Sequence, residues 1–452
     1  MSTRTLLKST SGPLAAAPVT AKSRSIGSIG SDTWKVRTAR RLVLRSMARI
    51  TKGEVRLVEA LRNKANSNTN HEAKVWLFGQ PTEDQLCAEI TVHDPRFWIC
   101  MVTGGSLGAA EAYAEGWWHT QDLTAAIRLF ARNRQALQRI DGGLAKWSAP
   151  LLRRLHRANR NTLQGSKRNI EAHYDLSNDF FALFLDPTMT YSCGLFAAES
   201  TTLEQAQLAK IDHLCRKLEL SPDTHLLEVG TGWGGFARHA AREYGCRVTT
   251  TTISKEQHAW AKEAIAADGL EDRVELLLQD YRSLQGKYDR VVSVEMVEAV
   301  GADFLGEYFS TLGSLLKPGG VAAVQAITIQ DQDFERASRH IDFIKRYIFP
   351  GSCIPSVTAM CNAMTSESDL KLVHLEDFTP HYATTLDRWS VALKERQEEA
   401  RSMGLDDHFL RTWEYYFRYC EGGFAERHIG LVQMMLAKPA SSYELAVHGE
   451  SF

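Results

Sequence analysis

The sequence predicts an α/β fold, a doubly wound and mostly parallel sheet of the Rossmann-like kind with helical insertions, preceded by a small α+β domain. Three observations predict it. An apolar run, Leu226-Leu227-Glu228-Val229, passes directly into Gly230-Thr231-Gly232-Trp233-Gly234-Gly235. That order reads as strand, tight turn and helix start, where glycines let backbone approach a ligand and the helix offers its N-terminus. Strand-like and helix-like patterns then alternate: strand 225–230, helix 234–244, strand 246–253, helix 255–267, strand 273–278, strand 288–295, a helix, the Lys317-Pro318-Gly319-Gly320 turn and strand 321–329. Alternation of this kind builds a parallel sheet with ligands at the strand carboxyl ends. Finally, the second and third strands end in polar tips, Thr249 to Ser254 and Gln279-Asp280.

The tips identify the cofactor class. A dinucleotide unit places an acid about 20 residues beyond the glycines to hold a ribose hydroxyl. Here the second strand ends in Thr250-Thr251-Thr252-Ile253-Ser254, with no acid. The amide and acid of Gln279-Asp280 suit an adenine edge instead. Glycine turn, polar second tip and amide-acid third tip together indicate an S-adenosylmethionine site; an ordinary tight turn would explain the glycines alone.

Composition narrows the class. The chain has 452 residues and a formal charge of −1, which excludes a globally basic nucleic-acid binder. No apolar run approaches the roughly 18 residues that span a bilayer. Eight cysteines, scattered without a CxxC pair or zinc spacing, suggest reduced thiols in a cytoplasmic protein. Residues 1–33 read as a disordered leader, basic and without an acid up to about residue 31, a bias that transit peptides share.

From Trp34 to Lys52, Leu42, Val43, Leu44, Met47 and Ile50 mix with Lys35, Arg37, Arg40, Arg41, Arg45 and Arg49. This is the pattern of a basic amphipathic helix, lying on an anionic membrane or packing its apolar side on the first domain. Residues 34–140 form that domain, with strands at Ala73 to Phe78 and Cys87 to Val92 and a helix closed by Glu115-Gly116-Trp117-Trp118; nothing in it suggests acid–base chemistry. A basic linker, 141–168, carries Arg153, Arg154, Arg157, Arg160, Lys167 and Arg168. The catalytic domain occupies 169–438 and a tail 439–452. Two long helical stretches, about 331–368 and 384–425, interrupt the end of the sheet; aromatics of the second (Trp413, Tyr415, Tyr416, Phe417, Tyr419, Phe424) exceed one helical face and serve a core or a greasy slot.

Several further motifs occur in order: His173-Tyr174-Asp175-Leu176-Ser177-Asn178, Asp186-Pro187-Thr188-Met189-Thr190-Tyr191-Ser192-Cys193, Thr252-Ile253-Ser254-Lys255-Glu256-Gln257 and Arg346-Tyr347-Ile348-Phe349-Pro350-Gly351. With the glycine turn they make the chain resemble the cyclopropane-fatty-acyl-phospholipid synthases and their mycolic-acid methyltransferase relatives. The resemblance spans about 165 to 438, and Gly105-Ser106-Leu107-Gly108-Ala109-Ala110-Glu111-Ala112-Tyr113 extends it into the first domain.

The resemblance implies methyl transfer from S-adenosylmethionine to a cis double bond in the acyl chain of a membrane phospholipid, at the inner face of the membrane. An alkene is a weak nucleophile and must be held in line with water excluded. The resulting carbocation needs a base to remove a proton and close a cyclopropane ring. In the family that base is a bound bicarbonate ion. Carried over, Glu298 and Tyr347 would bind it through side chains and Cys193 and Ile327 through backbone, while Gln325 stands where relatives often have His. Ala299 follows Glu298 where many relatives have His. Cys420 aligns with a cysteine once suspected of catalysis, though no activating neighbour is evident. Tyr191, Ser192, Gly230 and Gly232 would hold the methionine part of the cofactor, Thr252 and Gln257 the ribose, and Gln279 and Asp280 the adenine. Glu228 would orient the turn, and His173 and Tyr174 would close the pocket. Dimers occur in the family, but no segment compels one.

Two rivals stay open. Loss of a different proton would give a methylene-branched chain, which the Gln325 and Ala299 departures favour. A catalytically inactive lipid- or cofactor-binding protein is the other, against which the intact turn argues. A nucleic-acid methyltransferase is disfavoured: Glu295-Met296-Val297-Glu298 stands where an Asn/Asp-Pro-Pro-Tyr/Phe tetrapeptide would.

Overall fold

The computed structural model describes residues 33–61, 73–135, 137 and 177–443. The leader 1–32, the basic linker 141–168, His173 to Leu176 and the tail 444–452 lie outside the described residues.

The N-terminal part is a four-stranded sheet in the order β2-β1-β3-β4, built from β1 (Gly53–Glu59), β2 (Lys74–Gln80), β3 (Cys87–Val92) and β4 (Trp118–His119). The expected strands at 73–78 and 87–92 are β2 and β3; β1 was not anticipated. Helices α1 (Trp34–Met47), α2 (Arg96–Ala114) and α3 (Leu123–Arg132) accompany the sheet. The apolar side of α1, with Val36, Ala39, Val43 and Met47, is buried in the core. Packing therefore consumes most of the apolar residues, while Trp34 and Leu42 stay exposed. Arg40 is buried as well, held by Glu59, which also accepts from Trp98 Nε1 at 2.8 Å.

The larger part is a seven-stranded sheet containing β5 (His225–Val229), β6 (Arg247–Thr252), β7 (Val274–Leu278), β8 (Tyr288–Val294), β9 (Leu316–Ile329), β10 (Lys371–Asp377) and β11 (Ile429–Ala437). The order is β10-β11-β9-β8-β5-β6-β7, parallel from β9 to β7 and antiparallel at β11 and β10. Successive strand residues point to opposite faces. Leu226 accordingly joins one core with Ile211, Phe236 and Val292, while Leu227 joins another with Val291, Phe309 and Leu312. The turn at 317–320 does not precede β9 but bulges within it: Tyr288 pairs with Leu316 and Arg290 with Val321, with Gly319 at φ 73°. Strands β10 and β11 were not expected from the sequence.

Both long helical stretches are broken. The first becomes Asp331–Arg339, a π-helical turn Ile344–Ile348 and Val357–Glu367; Phe349-Pro350-Gly351 stops the turn, with Gly351 at φ 81°. The second becomes Thr379–Glu395, Gln397–Ser402 and Asp407–Ala425, interrupted at Gly404 and restarted by an Asp406 cap. Helix Asp407–Ala425 joins the two parts. Trp413 and Phe417 share one core with Val36 and Leu129. Polar bonds flank that core, Tyr113 Oη to Glu414 Oε2 at 2.9 Å and Thr124 Oγ1 to Glu421 Oε2 at 2.8 Å.

Candidate active site

A cavity of about 300 Å³ opens along the carboxyl ends of the parallel strands. The sheet order spreads its lining into two kinds of wall. The tips of β6 and β7 contribute Thr252, Gln257, Gln279 and Asp280. The ends of β9 and the start of β11 contribute Ile327 and Ile429, joined by Phe349, Leu386, Tyr416 and Phe424 from the helical insertions. The central strands β5 and β8 stand between and bring Glu228, Glu295 and Glu298 to the cavity.

The polar wall suits the cofactor. Gly230 and Gly232 adopt φ of 100° and 54°, conformations that favour glycine, and a Cβ on Gly232 would meet open space. Thr252 Oγ1 donates to Gln257 Oε1 at 2.8 Å, which leaves the Gln257 amide hydrogens for a ligand hydroxyl. Asp280 accepts from the backbone N and Nε of Arg282 at 3.0 and 2.9 Å and caps a short 3₁₀ turn; Gln279 Nε2 donates to Ser283 O at 2.7 Å. Both residues line the cavity and keep acceptor capacity, which an adenine edge could use. Ser192 accepts from the buried Lys210 Nζ at 2.7 Å, and the Tyr191 hydroxyl lies 2.9 Å from that of Tyr416. Glu228 accepts from Thr250 Oγ1 at 2.6 Å, and burial raises its carboxyl to about 7. These residues fit S-adenosylmethionine.

The bicarbonate cradle does not survive comparison with the structure. Cys193 N–H donates to Glu295 Oε1 at 2.9 Å. Gln325 Nε2 donates to the same oxygen at 2.8 Å. Ile327 N–H donates to Glu298 Oε1, and Tyr347 Oη donates to Glu111 Oε1 at 2.6 Å. The four donors assigned to the ion, the Cys193 and Ile327 amides, Gln325 and Tyr347, are thus each committed to a carboxylate of the chain, and these donors do not fit a bicarbonate. Cys193, Gln325 and Tyr347 are not among the residues lining the cavity; Glu298, Ile327 and Cys420 are.

Burial and the neighbouring Glu295 charge push the Glu298 carboxyl up to about 8, which favours its neutral form at pH 7. Its Oε2 has no partner among the described residues. Burial also pushes up the Cys420 thiol, which removes it as a nucleophile.

Sequence reasoning missed Glu295, Tyr382, Lys210 and Glu111. Glu295 lies three residues before Glu298 and reads as an ordinary strand-end acid. It accepts from the Tyr382 hydroxyl in addition to Cys193 and Gln325, donors drawn from three separate segments. Lys210 sits inside an otherwise unremarkable helix, Leu203–Lys217, yet is only 2% exposed. Glu111, from the first domain, lies outside the cavity lining and holds Tyr347 from behind it. The single available signal was its place inside the segment that extended the resemblance.

The family model described as mycolic acid cyclopropane synthetase matches residues 161–434. The chain is 38% identical over 343 residues to tuberculostearic acid methyltransferase UfaA1 of Mycobacterium tuberculosis (strain ATCC 25618 / H37Rv), covering 74% of this chain and 79% of that protein. It is 35% identical over 355 residues to the cyclopropane-fatty-acyl-phospholipid synthase of Escherichia coli (strain K12), covering 78% and 88%. Among solved structures, mycolic acid cyclopropane synthase CmaA1 complexed with SAH and CTAB matches with a TM-score of 0.57 at 33% identity, over 60% of this chain and 98% of that one.

Proposed function

The chain belongs to the mycolic acid cyclopropane synthetase family and is an S-adenosylmethionine-dependent methyltransferase; from that premise we propose that it methylates carbon at the cis double bond of unsaturated acyl chains in membrane phospholipids, closing a cyclopropane ring. The observation that carries the proposal is a single cavity joining the glycine turn to an apolar wall across buried carboxylates.

When bound, S-adenosylmethionine supplies an electrophilic methyl group on a sulfonium. The backbone at Gly230 and Gly232 and the side chains of Tyr191 and Ser192 hold its methionine part, Thr252 and Gln257 its ribose, and Gln279 and Asp280 its adenine. Ile327, Phe349, Leu386, Tyr416 and Phe424 hold the acyl chain and keep water from the cation that forms on it. No bicarbonate is included, because its cradle is filled. The names of relatives support a lipid substrate, as does an apolar wall that a small polar substrate would leave unused.

A second product remains in view, a methylene-branched chain formed by losing a proton from the chain itself. The relative named tuberculostearic acid methyltransferase and the Gln325 position favour it. The substrate lies in a bilayer, and we place the protein at the cytoplasmic membrane surface. Among the described residues no helix is long and apolar enough to cross a membrane.

The test is incubation with S-adenosylmethionine and unsaturated phospholipid vesicles, followed by mass spectrometry with double-bond-sensitive derivatisation. A gain of one CH₂ with loss of the alkene is expected. The same gain with an alkene retained selects the methylene product, and no gain on any unsaturated lipid overturns the proposal.

A further inference from the structure

We propose that Glu295 is the general base of this enzyme, a carboxylate built into the chain where the resemblance would seat a bicarbonate ion. This rests on the carbon methylation proposed above.

Three donors hold Glu295: Cys193 N–H and Gln325 Nε2 on Oε1, and the Tyr382 hydroxyl on Oε2. A backbone amide, a side-chain amide and a phenol converging in a buried site make an anion receptor, and here a tethered carboxylate fills it. A carboxylate offers about four lone-pair sites. Three are used, which leaves one on Oε2 for a proton, and Glu295 lines the cavity.

The backbone shows that the site is built for this side chain. Glu295 has φ 50°, in the left-handed region that glycine occupies without strain and other residues rarely adopt. A non-glycine residue persists there when its surroundings over-determine it, and such positions cluster at functional sites. The surroundings are specific: Glu295 N–H donates to Gln325 O at 2.8 Å, so one residue holds both its backbone and its carboxylate.

The same network explains Gln325. Its Oε1 accepts from Gln433 Nε2 at 2.9 Å, and Gln433 Oε1 accepts from Lys217 Nζ at 2.9 Å. The two glutamines face each other across the β9–β11 register. An amide can accept on one side and donate on the other, and the Gln433 bond turns the Gln325 NH₂ toward Glu295. Burial raises the proton affinity of Glu295, while its three donors restrain the rise.

The step balances. The alkene π pair forms the new carbon–methyl bond as the sulfur–carbon bond breaks, its pair staying on sulfur. The cation left on the neighbouring carbon is quenched by a C–H bonding pair, from the added methyl for a ring or from the chain for a methylene product. The released proton bonds to Glu295 Oε2 and afterwards leaves to solvent.

The experiment compares wild type, Glu295→Gln and Glu295→Gly in carbon-dioxide-free buffer and with added millimolar bicarbonate. It reads methylated lipid by mass spectrometry and binding of ¹³C-labelled bicarbonate to the cofactor-free protein by NMR, with cofactor binding as the check of folding. Wild-type turnover is expected to change less than about twofold on removing bicarbonate, with no labelled ion bound. Glu295→Gln is expected to lose about 100-fold, the usual worth of a general base. Glu295→Gly, which relieves the left-handed φ and empties the donors, is expected to bind bicarbonate and to regain turnover when it is added. Collapse of wild-type turnover without bicarbonate, binding of the ion by wild type, or full activity in Glu295→Gln would each overturn the assignment. If wild type methylates no unsaturated lipid, the proposed function fails, and the binding comparison still decides whether Glu295 fills the anion site.

Discussion

Tyr347 Oη donates to Glu111 Oε1 at 2.6 Å, which ties the π-helical turn Ile344–Ile348 beside the cavity to helix α2 of the N-terminal part. Arg346 reinforces the junction, its Nε lying 3.6 Å from Glu111 Oε1. The tyrosine that the resemblance assigned to an ion instead fastens one part of the chain to the other.

Tyr347→Phe is expected to cost about 1–2 kcal/mol of stability, the worth of a hydrogen bond to a charged group. A double-mutant cycle with Glu111→Gln, read by chemical denaturation, should give a coupling of about 1 kcal/mol. Additive effects would show that the bond contributes nothing in solution.

Gly232→Ala separates cofactor binding from folding. The added Cβ meets open space in the fold but adopts φ 54° and stands in the glycine turn. A stability loss of about 1 kcal/mol is expected from the left-handed conformation. Affinity for S-adenosylhomocysteine, measured by calorimetry, should fall by about tenfold or more because backbone approach is blocked. Unchanged affinity would remove the turn from the cofactor site.

Glu298 makes stability depend on pH. Its folded value of about 8 stands above the unfolded carboxyl value of about 4.3, so burial favours the neutral form. The contribution is complete below the unfolded value and is lost as pH rises through the folded one. Glu298→Gln should therefore gain stability relative to wild type between about pH 4.5 and pH 8, on the order of a few kcal/mol, and level off above. Glu228 has the same sign and cancels in the comparison. A difference that stays flat across this window would mean that the carboxyl is solvated.

The proposed membrane docking would rest largely on charge, since most of the apolar side of α1 is buried and Arg41, Arg45 and Arg49 remain exposed. Co-sedimentation with anionic vesicles should weaken as salt rises. Arg41→Glu with Arg45→Glu should weaken it by about 1 kcal/mol for each charge removed. Binding indifferent to salt and to these substitutions would locate the docking surface elsewhere.

The parallel half of the sheet was legible because its cues are local. Apolar runs, a glycine turn and polar strand tips at Thr252 and Gln279-Asp280 each declare themselves within a few residues, and they assemble as expected. Strand β11 was not legible. A short apolar run directly after an aromatic helix has no periodicity that distinguishes strand from helix, and its pairing with β9 is a long-range event. Helix α1 shows the limit of an amphipathic pattern: sequence reveals the apolar face but not what covers it.

By itself the sequence determined the fold class, the family motifs and the cofactor wall, since each is written in contiguous residues whose backbone conformations follow from their own chemistry. Only the tertiary structure decided how the two acids differ. Glu295 and Glu298 are near-equivalent in sequence. Three donors from distant segments restrain the rise that burial gives Glu295, whereas burial and the Glu295 charge push Glu298 up to about 8. A carboxylate's proton affinity is set by desolvation and by donors brought from elsewhere in the chain, and those exist only once the chain has folded.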